Sequence, residues 1–387
     1  MLLLIALTPA ALIFSISLTN PIDINKTNTH IIKQESPIII DQAFAEINQQ
    51  TGPIIIDHNC TDINLVPKYW INKAKGEFKI AYGHTSHGSQ IVSGMQVLMA
   101  QSDLYSFNHD GTDGALSFHD RVPSGDLGNP DRTTWAQRTR ELLNTPGCDR
   151  NMIMWSWCGQ ANTSEENIDL YLNLMNQLEE DYPNVTFVYM TGHLNGTGEG
   201  GNLNQRNNQI REFCKQNNKI LFDFADIESY DPDGNYFLDK NADDGCNYDS
   251  DGNGSLDANW ADEWCTSHPG ECPSCSCAHS KPLNCYMKGK AFWWMMARLA
   301  GWNLGDCDYN NDSVVDKKDL ISKREDVFQE YDIWIRDCWI PLETCADFNV
   351  DGVIDTKDML DKQESVTQEL IAWMLICGFY KKGRPKR

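Results

Sequence analysis

The chain has few positive charges for its length. Its 387 residues include 32 Lys and Arg against 55 Asp and Glu, so the formal net charge is −23. A protein that binds nucleic acid through a general positive field needs clustered cations, and this class is therefore excluded. The strongly basic stretch at residues 381–387 is predicted to belong to a solvated tail, 379–387. The abundant acids instead favour divalent-cation sites, an extracellular setting, or both.

The apolar segment near the start of the sequence is short for a membrane-spanning helix. The uncharged apolar run at residues 2–18 is somewhat shorter than the ~20 residues that a spanning helix needs. It is typical of the apolar region of a signal peptide, although no Lys or Arg precedes it. We predict that residues 1–20 are a signal peptide or, alternatively, an uncleaved N-terminal membrane anchor. The protein is thus expected to be secreted or held at the cell surface, where its 14 cysteines favour disulfides.

Apolar residues are not scarce, so a wholly disordered chain is excluded. They make up 41% of the sequence, and aromatic residues make up 10%. After a polar linker at 21–56, residues 57–303 alternate between strand and helix patterns. The strand patterns lie at 78–83, 152–157, 185–190 and 219–225. Repeated β-α-β units with short connections predict an α/β fold with a doubly wound, flavodoxin-like parallel sheet, which binds ligands outside the carboxyl ends of its strands.

The helix patterns between these strands are amphipathic. The first is preceded by Thr163 and Glu166, which are spaced as a capping box. A second helix is predicted around 204–214, and the last covers 287–299. Between 226 and 285 this rhythm breaks, because the segment is rich in Asp, Asn, Gly and Cys. We predict that it is a long insertion ahead of the last helix.

The C-terminal part of the chain repeats itself. Residues 308–319 match residues 347–358 at an offset of 39, and the same offset relates two tryptophans and two cysteines. A repeat that preserves loop, aromatic residue and cysteine indicates two copies of one unit. Each copy has oxygen donors at loop positions 1, 3, 5, 9 and 12: Asp308, Asn310, Asp312, Asp316 and Asp319, then Asp347, Asn349, Asp351, Asp355 and Asp358. Since calcium takes six to eight oxygen ligands, this spacing predicts paired calcium loops with calcium as the cofactor.

The two loops differ from ordinary EF-hands. Gly352 supplies the sharp turn at position 6, Ser313 replaces it in the first copy, and position 12 is Asp rather than Glu. Two such loops at the end of a secreted chain resemble a dockerin type I module, over residues 304–378. The resemblance implies a small all-α calcium module whose partner is a cohesin-bearing scaffold protein. It also implies that loop positions 10 and 11 help choose the cohesin; they are Lys317, Lys318, Thr356 and Lys357.

The insertion carries a further acidic set. Its members occupy loop positions 1, 3, 5 and 9 of two patterns: Asp231, Asp233, Asn235 and Asp239, then Asp249, Asp251, Asn253 and Asp257. Neither pattern has an acid at position 12, where Ala242 and Trp260 fall. These residues either bind calcium or form a polar loop stapled by disulfides. For the neighbouring cysteines, disulfides are favoured over a zinc knuckle in an exported protein; they are Cys265, Cys272, Cys275, Cys277 and Cys285.

The first candidate catalytic residues follow the end of the predicted strand at 78–83. The sequence Gly83-His-Thr-Ser-His-Gly-Ser89 follows it, and Ser86 is well placed there to face the crevice of the sheet. A nucleophilic serine needs a base and donors for an oxyanion. Asn162, after the next strand, is a candidate donor, and His279, just before the last helix, is a candidate base. Alternatively, Ser86 only caps the following helix and His279 is a structural histidine.

This order of residues resembles the SGNH (GDSL-type) hydrolases over most of the α/β domain. The resemblance implies that Ser86 is the nucleophile, Asn162 an oxyanion donor and His279 the base. Gly159 opens the block that ends in Asn162. The family motif Gly-Asp-Ser is Gly-His-Thr-Ser here, and Ser276 stands where the family has Asp. Together with the dockerin-like module, the resemblance implies a secreted esterase that removes acyl groups from polysaccharide.

Other polar groups allow different functions. Ser89 is an alternative nucleophile, and His193 either binds substrate or hydrogen-bonds a loop. Cys158 and Cys214 are expected to be free buried thiols. A catalytic zinc site takes three protein ligands, and the candidates for one are His84, His87, His193 and His279. The remaining alternative is a non-catalytic extracellular binding or assembly protein with a degenerate hydrolase fold.

Overall fold

The computed structural model describes residues 52–302, 317–340, 344–349 and 353–376. The predicted N-terminal segment, most of the linker and the basic tail lie outside these residues. So do five of the predicted calcium ligands, which are Asp308, Asn310, Asp312, Asp316 and Asp351. None of the described helices has both the length and the apolar composition that a bilayer crossing requires.

A parallel sheet of seven strands forms the centre of the α/β domain. Its strands are β1 (Ile54–Ile56), β2 (Lys79–Gly83), β3 (Phe107–Asn108), β4 (Leu116–Asp120), β5 (Met152–Trp155), β6 (Thr186–Met190) and β7 (Ile220–Phe222). They lie in the order β1-β7-β6-β5-β2-β4-β3, and every neighbouring pair is parallel. The five strands β4, β2, β5, β6 and β7 follow the 2-1-3-4-5 order of flavodoxin-like sheets. The predicted α/β class with a parallel sheet is confirmed.

Helices cover both faces of the sheet. In β5, Met152 and Met154 are buried on one face and Ile153 and Trp155 on the other. A strand covered on both faces is apolar throughout, which explains its continuous apolar pattern. The helices are α1 (Lys68–Glu77), α2 (Ser89–Gln101), α3 (Thr134–Leu143), α4 (Glu165–Asp181), α5 (Asn202–Gln216), α6 (Phe224–Glu228), α7 (Trp260–Ser267) and α8 (Pro282–Leu299). Helices α1, α2 and α8 cover the first face, and α3, α4 and α5 cover the second.

Close packing of α2 against α8 depends on two glycines. A Cβ atom at Gly94 would lie 1.9 Å from the carbonyl oxygen of Cys285, and one at Gly289 would lie 2.2 Å from the carbonyl carbon of Gly94. Side chains cannot approach backbone so closely, so these two positions require glycine. Helix α2 begins shortly after Ser86, and α8 begins shortly after His279. The glycine contact thereby fixes the loops that carry these two residues.

The outer strands differ from the sequence predictions. Ile54–Ile56, which we assigned to the linker, form the edge strand β1 beside β7. The expected strand at 219–225 ends at Phe222. The reason is that the side chain of Asp223 accepts the N–H of Asp226 and caps α6, so the next residues are helical.

Two helix starts also differ. Helix α4 begins at Glu165, so Thr163 lies outside it and the expected capping box with Glu166 does not form. The Thr163 hydroxyl instead accepts a hydrogen bond from Arg132 at 3.1 Å. Helix α8 begins at Pro282, ahead of the expected start at 287, because proline suits the first turn of a helix.

The insertion contains more regular structure than its sequence predicts. A two-stranded antiparallel ribbon pairs β8 (Asn247–Tyr248) with β9 (Ala258–Asn259), and α7 follows directly. Two disulfides, Cys265–Cys272 and Cys277–Cys285, close the region, and Cys275 is a free thiol. The cysteine cluster thus fits the disulfide interpretation better than the zinc knuckle.

The described C-terminal part is helical. Its elements are α9 (Lys317–Trp334), a π-helical turn (Ile335–Trp339), a 3-10 turn (Thr344–Ala346) and α10 (Thr356–Ile376). The repeated tryptophans Trp334 and Trp373 are both buried. Cys338 forms a disulfide with Cys345, which closes the segment between the two helices at its start.

Candidate active site

The carboxyl ends of β2 and β5 border the point at which the strand order reverses. The chain leaves β2 towards one face of the sheet and leaves β5 towards the other, and such a divergence opens a crevice for ligands. Ser86 and His87 follow β2, and Cys158 follows β5. The insertion adds Asp244 and His279 to the same crevice.

Ser86 and His279 are brought together although 193 residues separate them. His279 Nε2 lies 2.9 Å from Ser86 Oγ, which is a hydrogen-bond distance. The backbone of His279 is left-handed, with φ 62°, a conformation that costs roughly 1–3 kcal/mol for residues other than glycine. The Cys277–Cys285 disulfide brackets His279, and Gln90 Nε2 donates to the Ala278 carbonyl at 2.7 Å. These contacts hold the strained histidine in place.

A second series of polar contacts, through Cys158, His87 and Asp244, lies beside the pair of Ser86 and His279. Cys158 Sγ is 3.1 Å from His87 Nδ1, and His87 Nε2 is 2.8 Å from Asp244 Oδ2. Cys158 Sγ also lies 3.6 Å from Ser86 Oγ. The His87 ring stacks on the ring of His279, with 4.4 Å between their centroids. The crevice thus holds a hydroxyl, a thiol, two imidazoles and a carboxylate in contact.

Burial and neighbouring charges determine the protonation of His87 and Asp244. Burial lowers the pKa of His87, its hydrogen bond with Asp244 offsets this only in part, and electrostatic repulsion between His87 and His193 lowers it further. Burial by itself raises the pKa of Asp244, but the hydrogen bond from His87 and the charges of nearby histidines hold it below its usual value. His87 is therefore biased towards the neutral imidazole that can accept a proton, and Asp244 towards the carboxylate.

Two of the four histidines considered for a metal are engaged elsewhere. His84 is buried, with Nε2 2.6 Å from Asp120 Oδ1 and Nδ1 2.7 Å from the Thr85 carbonyl. His279 binds Ser86 through its Nε2 atom. The four rings therefore do not converge on one point.

The other two histidines form a cluster with Asp244. His87, His193 and Asp244 have ligand atoms close enough to share one ion, and His193 Nδ1 lies 3.9 Å from Asp244 Oδ2. Both nitrogens of His87 already have partners, Cys158 and Asp244. An ion at this place would replace the hydrogen bond between His87 and Asp244, and both side chains would become its ligands.

Asn162 and Ser89 form no hydrogen bond with the Ser86 hydroxyl. Asn162 is exposed, and its Oδ1 accepts a hydrogen bond from Asn202 at 2.7 Å. Gly159 opens the 3-10 turn between β5 and Asn162. Ser89 is the first residue of α2, and its Oγ donates to the Ser86 carbonyl at 2.6 Å. Ser89 thus supports the loop that carries Ser86 and does not face a base.

A buried charge network supports the crevice. Lys288 and Glu228 are fully buried, and Nζ and Oε1 lie 2.5 Å apart. Lys288 also donates to Oε1 of Gln90, whose Nε2 binds the Ala278 carbonyl. Glu228 Oε2 accepts the N–H of Leu194 at 2.8 Å. One network therefore joins α2, α6, α8 and two crevice loops, and fixes their relative positions.

The acidic patterns of the insertion are closed by their own backbone. Asp231 Oδ1 accepts the N–H groups of Asp233 and Asn235, both at 2.9 Å. Asp249 accepts three N–H groups, including that of Gly254 at 2.7 Å. The remaining residues of the two patterns are Asp239, Asp251, Asn253 and Asp257. Neither pattern provides three acidic or histidine side chains close enough to share an ion within the described residues, and the calcium and polar-loop interpretations both stay predictions.

Four of the five predicted ligands of the second C-terminal loop lie among the described residues. Asp358 is fully buried; its Oδ1 accepts the N–H of Asn349 at 3.1 Å, and its Oδ2 accepts that of Asp355 at 2.8 Å. Loop positions 3, 9 and 12 are thus drawn together, and Asp347 at position 1 adjoins them in sequence. Of the first loop's ligands, Asp319 alone lies on described backbone, in α9.

Some site residues have no clear signal in the sequence. Cys158 is a free thiol, as expected, but it is half-buried in the crevice rather than in the core. Its position directly after a buried strand is the available signal, since crevice residues follow such strands. Asp244 lies in the insertion, where no motif marks it. Asp57, His58 and Asp226, which follow β1 and β7, also have ligand atoms close enough to share an ion.

Comparison with known proteins identifies no family for this chain. No protein-family model matches the sequence, and no curated protein or solved structure is significantly similar to it. The resemblances to SGNH hydrolases and dockerins therefore stay predictions. A functional proposal rests on the crevice and its contacts.

Proposed function

We propose that the α/β domain is a secreted, SGNH-like serine hydrolase that cleaves acyl esters. The observation that carries the proposal is the 2.9 Å contact between Ser86 Oγ and His279 Nε2. A serine hydroxyl beside an imidazole is an activated nucleophile. The pair also lies at the carboxyl edge of the sheet, where ligands of doubly wound folds bind.

The reaction follows from the roles of the two side chains. His279 accepts the proton of Ser86 as Oγ attacks the ester carbonyl and a tetrahedral oxyanion forms. The C–O bond to the alcohol then breaks, and His279 gives the proton to the departing oxygen. Water attacks the resulting acyl-serine with His279 again as the base, which releases the carboxylic acid and restores the serine.

His279 has no carboxylate partner among the described residues. Ser276, which stands in place of the family's Asp, is exposed. The ring is instead oriented by its left-handed backbone, by the Cys277–Cys285 disulfide and by stacking on His87. These constraints supply part of the ring orientation that an acid provides in a triad, and the proposed chemistry uses the serine–histidine pair.

For the oxyanion, Asn162 remains the proposed side-chain donor. Its Oδ1 atom accepts from Asn202, and its Nδ2 group makes no hydrogen bond within the described residues. That amide group is therefore available to a ligand. A donor of this kind is typically worth about 100-fold in rate or more.

The proposed substrate is an acyl group carried by a polysaccharide. Its support is the dockerin-like C-terminal module, since dockerins attach carbohydrate-active enzymes to scaffolds. This step depends on the resemblance and not on the chemistry of the crevice. A matching set of esters, with sugar-borne and simple alcohol leaving groups, would separate a carbohydrate esterase from a general one by their kcat/KM values.

We further propose that residues 304–378 bind calcium and dock onto a cohesin-bearing scaffold protein. The described side chains of the second loop suit a hard cation because they offer oxygen donors: Asp347, Asn349, Asp355 and Asp358. Asp358 is a fully buried carboxylate whose hydrogen bonds come from backbone N–H groups. Calcium would compensate that buried negative charge and link the loop to α10.

Labelling of the full chain with a fluorophosphonate probe tests the serine assignment. We expect the adduct on Ser86, and a fall in labelling of about 100-fold or more in Ser86→Ala and His279→Ala. Ser89→Ala is the matched control and should label within about threefold of the parent chain, because its hydroxyl faces no base. Loss in Ser89→Ala alone would reassign the nucleophile. A folded parent chain that takes no label would favour the non-catalytic binding protein.

A further inference from the structure

Cys158 belongs to a contact pattern that serine hydrolysis does not use. We infer that Cys158 is a second nucleophile of the crevice, activated by His87 and Asp244, and that it accepts acyl groups from esters and thioesters. The inference goes beyond the proposed serine hydrolase. It stands on contacts separate from the one that joins Ser86 to His279.

The three side chains have the geometry of a nucleophile, a base and an orienting acid. Cys158 Sγ lies 3.1 Å from His87 Nδ1, and Asp244 Oδ2 lies 2.8 Å from His87 Nε2. A carboxylate at Nε2 favours the tautomer with its proton there, which leaves the lone pair of Nδ1 facing the thiol. The serine pair has no such acid among the described residues, so the thiol has the more complete arrangement.

Cys158 also differs from the other free cysteines of the described chain. Cys60, Cys214 and Cys246 are buried, and burial raises the pKa of each of these thiols. Cys148 and Cys275 are half-buried, and neither thiol forms a hydrogen bond with an imidazole among the described residues. Reactive cysteines are partly exposed and lie beside a group that accepts their proton or stabilises the thiolate, and among the described free thiols Cys158 alone meets both conditions.

The proposed chemistry needs no cofactor or oxidant. The thiol proton passes to His87 Nδ1, and the thiolate attacks the acyl carbonyl. A C–S bond to the enzyme forms, the bond to the leaving alcohol or thiol breaks, and His87 returns the proton to the leaving atom. Water then attacks the thioester with His87 as the base, which yields the carboxylic acid and the free thiol.

The position of Ser86 fits this assignment. Its Oγ lies 3.6 Å from Cys158 Sγ, so a single bound acyl carbonyl is within reach of both nucleophiles. The stacked rings of His87 and His279 keep the two bases side by side, each next to its own nucleophile. The crevice can therefore form an acyl-serine or an acyl-cysteine from one substrate position.

Alkylation of the full chain with iodoacetamide tests the inference when each cysteine peptide is quantified by mass spectrometry. We expect Cys158 to react at least about tenfold faster than Cys148 and Cys275 in the same molecule. His87→Gln removes the base and should bring the Cys158 rate down to that of Cys275. His109→Gln, at an exposed histidine beside Asp110, is the matched control and should leave the rate unchanged within about twofold.

A second measurement detects the acyl-enzyme directly. Brief reaction with p-nitrophenyl acetate followed by acid quenching should leave an acetyl group on the Cys158 peptide, and His87→Gln should lose it. A Cys158 rate no faster than that of Cys148 and Cys275 overturns the inference, and this comparison within the unmodified chain holds even if a variant fails to fold. Fluorophosphonate labelling reports on Ser86 separately, so the serine and thiol assignments can each fail alone.

Discussion

The crevice and the acidic loops of the insertion are both rich in polar side chains, but they are held together in opposite ways. In the crevice, contacts join residues that lie far apart in the chain, up to the 193 residues between Ser86 and His279. In the loops, Asp231 and Asp249 bind N–H groups only two to five residues ahead. The crevice therefore needs the whole domain to fold, whereas each loop can close with its own segment.

Substitution in the buried Lys288–Glu228 pair, which joins segments that lie far apart in the chain, should have the largest effect on stability. Lys288→Met leaves Glu228 buried without its cation, so we expect the free energy of unfolding to fall by about 3–5 kcal/mol. Urea denaturation followed by tryptophan fluorescence would measure it. Lys281→Met is the matched control, because its partner Asp262 is exposed and the pair should contribute less than about 1 kcal/mol. Equal effects of the two substitutions would contradict the long-range role of Lys288.

Calcium binding at the second C-terminal loop should behave as a local event. Asp358→Ala removes the buried carboxylate at position 12, and we expect one calcium-binding event to weaken about 100-fold, or about 2.7 kcal/mol, in titration calorimetry. Fluorophosphonate labelling of the crevice should not change. Glu364→Ala, which loses a surface pair with Lys68 and a surface hydrogen bond from Gln368, is the control and should bind calcium as the parent chain does. Undiminished calcium binding by Asp358→Ala would refute the assignment of this ligand.

The support of the His279 loop can be tested without touching the reacting groups. Gln90→Met removes the donor to the Ala278 carbonyl and one partner of Lys288, so the loop should loosen. We expect fluorophosphonate labelling of Ser86 to slow roughly tenfold, equivalent to about 1.4 kcal/mol. The control Gln137→Met loses only a surface bond to Glu141 and should label normally. A labelling rate equal to that of the parent chain would show that the loop is held by other contacts.

The smallest effect is expected in the acidic loops themselves. Asp249→Ala leaves the N–H groups of Gly252 and Gly254 without their acceptor, and that of Asn253 with only its longer bond to Asp251, and should cost about 1 kcal/mol of unfolding free energy. Asp251→Ala loses one longer bond to Asn253 and should cost less than about 0.5 kcal/mol. Neither change should alter the labelling of Ser86. A strong loss of labelling in Asp249→Ala would mean that loop and crevice are coupled after all.

The difference between local and long-range contacts also explains which features could be predicted from the sequence. The buried strand at 152–155 and the order of strand and helix follow from local apolar patterns, and these gave the α/β class. Ser86 and His279 were paired because each matches a position in a family motif, and they are in contact. The positions of Asn162 and Ser89 relative to the Ser86 hydroxyl depend on side-chain directions in loops, which no pattern specifies.

Other parts of the site could not be predicted for a physical reason. The contact of Asp244 with His87 spans 157 residues and arises only when the insertion folds against the sheet. No spacing encodes such a contact, and Asp244 sits in a segment with many similar acids. The early end of the strand at Phe222 has a comparable cause, because one cap by Asp223 decides between strand and helix.

The Cys277–Cys285 disulfide affects when, after synthesis of the chain, the serine site is fully formed. It closes around His279, so in a reducing compartment a newly made chain would hold this base through Gln90 and the packing of α2 on α8 alone, and less firmly. In the proposed secreted form, the loop would be completed when the two thiols are oxidised. The proposed hydrolase, assembled in this order, would act more slowly on the acyl esters of the cell that makes it than on esters outside. The oxidation of two cysteines would then serve as the last step of maturation.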